Sequence, residues 1–196
     1  MVGQIILGVV LTFSVAGVSV LAAQPVSNVA PVITVLLCDK ASLASGDKDK
    51  ARVQADRILK SANVQLRWVD PETHETCTGQ LGGTYFTIIL VSESLKGVPT
   101  SSDAMGRAVL IGNAYPRAYV FMDRVRRFDR SHRANKSSSL GVILGHAISH
   151  ELGHLLGLPH ASSGIMRGKW GRQEWMAAVT GRLLFAYPEI ALEKTR

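Results

Sequence analysis

Charge is missing from the start of this 196-residue chain: Met1 to Ala30 contains no Lys, Arg, Asp or Glu. All 22 Lys+Arg and 15 Asp+Glu, and with them the formal net charge of +7, lie beyond it. Cysteine is almost absent, with 2 residues, which excludes a small scaffold stapled by several disulfides. Aromatic residues make up only 6% and are not interleaved with basic ones, so nucleic acid is not expected as a partner. No internal repeat or low-complexity linker divides the chain. The hydrophobic fraction of 46% is too high for a disordered chain and suits one globular domain with a sizeable core.

The uncharged start is rich in Ile, Leu, Val and Ala from Ile5 to Ala23. Such a run reads as a targeting segment over residues 1–23: a signal peptide cut near Ala22 or Ala23, or an uncleaved membrane anchor, since about 17–25 apolar residues span a bilayer. Either reading places the remaining domain, residues 31–191, outside the cytosol, secreted or in the cell envelope. Membrane contact is then expected only through that segment, and the protein is expected to be a monomer. Cys38 and Cys77 suit this compartment as a disulfide rather than a metal site, two unpaired thiols being the alternative.

Residues 32–38 form a β-branched run that predicts a buried strand. Over 47–62, Ala51, Ala55, Ile58 and Leu59 share one helical face. Residues 64–69 alternate as a half-buried strand does, and 84–91 make a third. Residues 108–112 and 117–125 read as two more strands joined by a short turn, which allows an antiparallel pair. A charged loop then leads to a helix over 140–156, and 173–185 reads as a last helix. This order describes an α+β domain with helices layered against a mixed sheet.

The chemistry concentrates in His150-Glu151-Leu152-Gly153-His154, extended to Gly157 and His160. Positions i and i+4 lie one turn apart on a helix, so His150 and His154 can face one metal ion. Leu144, Ile148, Leu152, Leu155 and Leu156 collect on the other side. Gly157 permits a sharp helix end, and His160 can swing back as a third ligand. Three imidazoles with an open fourth position describe a catalytic Zn2+ site rather than a structural one. Glu151 is then placed as the general base for a metal-activated water.

These residues resemble the zinc signature of the metzincin clan of metallopeptidases, with matrixin- and adamalysin-like catalytic domains among its members. The resemblance implies a mixed, mostly parallel five-stranded sheet, an active-site helix and a C-terminal helix. It also implies a tight turn carrying a methionine, matched here by Met166, and hydrolysis of peptide bonds in protein or peptide substrates. In that family an extended substrate adds to the antiparallel edge strand; the matching residues are Ala108, Val109, Leu110 and Ile111. The tyrosine that astacin-like members carry two residues past the methionine is replaced by Gly168, so that ligand is not expected.

Two residues compete for roles near this motif. His146, one turn before His150, is either an ordinary helix histidine or one that lines the cleft. Glu174 lies near the spacing of a glutamate ligand in another zinc-peptidase class, but Gly157 and Met166 favour His160. Arg124, Arg126, Arg127, Arg130, Arg133 and Lys136 crowd one stretch, read as a solvated loop or as a patch for an acidic substrate or anionic envelope component. A catalytically weak or inactive domain that binds such a component is the alternative to a peptidase. Trp170 and Lys169, just after the methionine, are candidates for a pocket wall.

Overall fold

The computed structural model describes residues 30–71, 77, 85–93, 103–109, 116–133 and 138–186. The elements are β1 (Val32–Asp39), α1 (Ser45–Ser61), β2 (Gln65–Val69), β3 (Tyr85–Val91), β4 (Gly106–Val109), β5 (Arg117–Phe121), α2 (Met122–His132), α3 (Leu140–Leu155) and α4 (Arg172–Val179). The strands form one five-stranded sheet in the order β2-β1-β3-β5-β4. Every neighbouring pair is parallel except β4 with β5, which is antiparallel. The α+β class with a mostly parallel five-stranded sheet is therefore the fold observed.

Alternation along the strands sorts the core. Val35, Leu37, Ile88, Leu90, Ala118 and Val120 point to the face on which α1 and α3 pack. The intervening Leu36, Cys38 and Ile89 point to the other face, where Cys77 joins Cys38 in a disulfide with Cα atoms 5.8 Å apart. Helix α1 buries the four residues its periodicity predicts, Ala51, Ala55, Ile58 and Leu59. It approaches α3 closely because α3 offers glycine at the contact. A Cβ on Gly141 or Gly145 would lie 2.7 Å from the Asp47 carbonyl oxygen or 2.6 Å from that of Ala51.

The structure corrects three expectations from the sequence. The strand expected over 117–125 ends at Phe121, and the charged loop after it is helix α2. Met122, Val125 and Asp129 form the buried side of α2, and the aspartate on that side hides the apolar period. Asp129 is accommodated there by the Trp175 indole N–H, which donates to Oδ1 over 3.4 Å, and by Arg133 at 3.9 Å. The last helix ends at Val179, not 185, because Gly181 takes φ +74° and closes it. There Gly181 N donates to the Ala178 carbonyl and Arg182 N to that of Ala177. The edge strand begins two residues early, at Gly106.

Among the described residues no helix is long and apolar enough to cross a membrane. The expected targeting segment, residues 1–23, lies outside the described residues, as do Leu110, Ile111 and Lys136.

Candidate metal centre and cleft

Helix α3 carries its histidines out of an apolar body. Ile143, Leu144, Ile148 and Leu152 are fully buried, while His150 and His154 are half-buried on the adjoining side. Gly157 adopts φ +87° and ends the helix. Leu158 N reaches back 2.9 Å to the Gly153 carbonyl, Gly157 N 3.0 Å to that of His154, and the chain reverses so that His160 returns to the pair. One nitrogen from each of His150, His154 and His160 falls within 4.8 Å of the others, the arrangement expected of a metal-binding triad.

Backbone carbonyls set the tautomers. His150 Nδ1 lies 2.7 Å from the Ile165 carbonyl oxygen and His154 Nδ1 2.8 Å from that of Leu158. A carbonyl can only accept, so each Nδ1 carries the proton and each Nε2 presents its lone pair. Those lone pairs meet: His154 Nε2 is 3.1 Å from His150 Nε2 and 3.1 Å from His160 Nε2. His150 and His154, both with Nε2 unprotonated, have nothing to share at their contact, whereas a divalent cation among the three rings satisfies every facing lone pair. The donor set therefore fits zinc, with three imidazoles and room for a fourth ligand. Burial pushes His150 down to about 4, with the Ile165 carbonyl opposing and the neighbouring histidines adding a little. His154 is lowered mainly by burial as well, so both rings stay in the neutral, ligating form.

Met166 sits on a tight turn against the same helix. Gly164 takes φ +71°, Arg167 N donates to the Gly164 carbonyl, and Ala161 N donates to that of Met166. A Cβ on Gly153 would lie 2.5 Å from Met166 Sδ, so the glycine before His154 lets the methionine approach. Gly168 makes room for the His160 ring, whose Nδ1 would be 3.0 Å from a Cβ there.

Glu151 is 4% exposed and its Oε2 has no hydrogen-bond partner. Burial raises its carboxyl to about 8, partly offset by the Ala108 backbone N–H. It abuts Gly106 on β4, where a Cβ would lie 2.7 Å from the carboxyl carbon and closer still to Oε1. Nothing in the sequence marked Gly106, because its role depends on a strand packing across the helix that carries the motif. Ala108 and Val109 lie on β4, at the edge of the sheet as expected.

The two competing residues are resolved. His146 is fully buried, with Nδ1 2.8 Å from the Val142 carbonyl oxygen, and stands outside the three-histidine group and outside the cleft lining. Glu174 caps α4, accepting from Gly171 N at 2.8 Å and from Arg167 Nη1 at 2.5 Å, and it too lies outside the group.

The histidines and Glu151 open into a cleft of about 830 Å³. Its other walls are the β4 segment, α2 through Arg124, Arg127 and Phe128, and the stretch from Arg167 to Trp170. The Trp170 ring stands 5.8 Å from His150 and 6.2 Å from Phe128, bridging the metal centre and α2. The participation of α2 was missed from sequence. Its signal is the spacing of Arg124, Arg127, Phe128 and Ser131, which places them along one helical stripe.

No protein-family model matches the chain, and no curated protein matches it. Among solved structures it is similar to archaemetzincin (amzA) from Methanopyrus kandleri, at 15% identity and a TM-score of 0.46, over 86% of this chain and 93% of that one. That likeness is too distant to bear on activity.

Proposed function

We propose that the chain is a zinc-dependent endopeptidase of matrixin-like metzincin type. One observation carries this reading. Three imidazole nitrogens converge, those of His150 and His154 with their lone pairs held inward, and a buried glutamate of α3 lies between them and an edge strand. His150, His154 and His160 would hold the ion. Bound there, zinc supplies Lewis acidity toward a peptide carbonyl and toward water.

The rest of the reaction falls to the chain's own groups. The outer rim of β4 pairs with an extended substrate and presents its scissile bond to the cleft. Glu151, whose carboxylate form a cation held by the three histidines would favour against burial, accepts the proton of the attacking water as the oxygen bonds to the carbonyl carbon. It then delivers that proton to the leaving nitrogen as the C–N bond breaks. Low exposure keeps bulk water from competing for that proton. Met166, packed on the floor of the helix, supports the ligands from below.

Export is part of the same reading, supported by the uncharged first 30 residues and by the Cys38–Cys77 disulfide, which persists in oxidising compartments. The decisive comparison is wild type against Glu151→Ala on unfolded casein. Wild type should cut in a chelator-sensitive manner, and the variant should bind zinc stoichiometrically yet cut at least about 10³-fold more slowly. A zinc-loaded wild type that cleaves neither casein nor a peptide library would exclude the proposal.

A further inference from the structure

We infer that the cleft is built for peptides carrying an acidic side chain, received by the Arg124 and Arg127 stripe of α2. This rests on the endopeptidase reading and names its substrate class. Helix α2 has three sectors at about 100° per residue. Met122, Val125 and Asp129 are buried in the core, Arg124, Arg127, Phe128 and Ser131 line the cleft, and Arg126 and Arg130 fall on a third sector outside it.

The charge along the cleft is one-sided. Among the described residues Arg107, Arg124, Arg127, Arg167 and Lys169 line it against the carboxylates of Asp103 and Glu151; Arg167 is paired with Glu174 and Lys169 with Asp103 at 3.4 Å, so the positive balance is carried by the arginines of β4 and α2. Of the two acids on α2, Asp129 is turned into the core and held by Trp175 and Arg133, while Asp123 offsets only Arg127, at 3.6 Å. A concave surface lined by one sign focuses its potential inward and raises the local concentration of opposite charge.

The stripe is also shaped for a carboxylate. Arg124 Nη1 donates to the Ala104 carbonyl at 2.7 Å and its guanidinium lies 5.0 Å from the Phe121 ring centre, which together fix its orientation. Arg127, itself exposed, leans on the half-buried Asp123 at 3.6 Å, a long contact that leaves its guanidinium able to turn to a better-placed acid. A guanidinium presents a planar fork matched to a carboxylate. Phe128 and Trp170 alongside give the aliphatic stem of a glutamate an apolar surface.

The test uses the zinc-loaded full chain and a set of matched peptides, each with Glu or Gln at one position, scanned across the cleavage site. At one position or more the Glu peptide should have a kcat/KM about 10-fold or more above its Gln partner at low salt. That ratio should shrink toward 1 at about 0.5 M NaCl as screening sets in. Arg127→Glu, at a mostly exposed position that tolerates the change, should bring the ratio to 1 or below; Arg124→Gln/Arg127→Gln should do likewise. Equal cleavage of Glu and Gln peptides at every position overturns this inference alone, as does a ratio that neither variant moves. Failure to cleave any peptide overturns the endopeptidase reading and this inference with it.

Discussion

Replacing Gly106 by alanine asks whether the edge strand positions the glutamate. The new Cβ would meet the Glu151 carboxyl carbon at 2.7 Å and Cγ at 2.8 Å. Carbon atoms rest at about 3.5–4.0 Å, so the carboxyl group must retreat by roughly 1 Å. Glu151 has little room to do so, being 4% exposed on a helix whose neighbouring turns are packed. A displacement of about 1 Å at a reacting group costs about 10²-fold in rate, or about 2.7 kcal/mol of barrier. Overpacking costs about 1–3 kcal/mol of stability, while removing a strand glycine returns about 0.5–1 kcal/mol, so the fold should survive. The assay is initial rates on an internally quenched peptide, with metal content measured on the same sample. Gly106→Ala should lower kcat about 100-fold, leave KM within about threefold and keep one zinc per chain. A variant retaining half or more of wild-type kcat refutes the reasoning, and so does a loss of activity that tracks a loss of zinc.

Gly145→Ala should act on stability alone: its Cβ would meet the Ala51 carbonyl oxygen at 2.6 Å, costing about 2 kcal/mol and lowering Tm by roughly 4–8 °C in a thermal melt, with kcat unchanged. Cys38→Ser/Cys77→Ser opens a bridge spanning a sequence separation of 39, which the chain-entropy account values at about 4 kcal/mol; urea unfolding should show a lowered midpoint, and zinc affinity should stay the same. His146 is held down to about 4 chiefly by burial, with Arg57 adding to the effect and the Val142 and Leu183 backbone opposing it. Its folded value lies below the unfolded 6.5, so the unfolded chain binds more protons between those limits and stability must fall as pH drops through that window. The loss approaches about 3 kcal/mol near pH 4, and metal-free His146→Leu should show a flatter stability profile than metal-free wild type.

Local patterns carried much of this molecule. The α1 period named its four buried residues, and Gly157 announced the end of α3 in the conformation it adopts. The three histidines converge as their spacing required, because i, i+4 on a helix and a glycine turn are both short-range geometry. What escaped was set by tertiary contact. Helix α2 reads as a charged loop because Asp129 occupies a core-facing position that only Trp175 and Arg133, from outside the usual apolar pattern, make tolerable. Gly181 is an ordinary helix stop that the apolar residues following it, Leu183 to Phe185, disguise; Leu183 is buried in the main core without being helical. Gly106 could not be singled out at all, since its meaning lies in a side chain 45 positions away.

Strand β5 passes into α2 without an intervening loop: Phe121 ends one and Met122 begins the other. The join is pinned on both sides, Phe121 N to the Met105 carbonyl at 2.8 Å and Asp123 N to that of Ser92 at 3.0 Å. The wall carrying Arg124 and Arg127 is thus a continuation of the sheet, and the gap between it and the histidines is fixed by the same strands that hold α3. At that join the cleft has no hinge. Its selectivity would drift in evolution, or be redesigned, by exchanging side chains on one helical stripe while the distance to the metal stays constant.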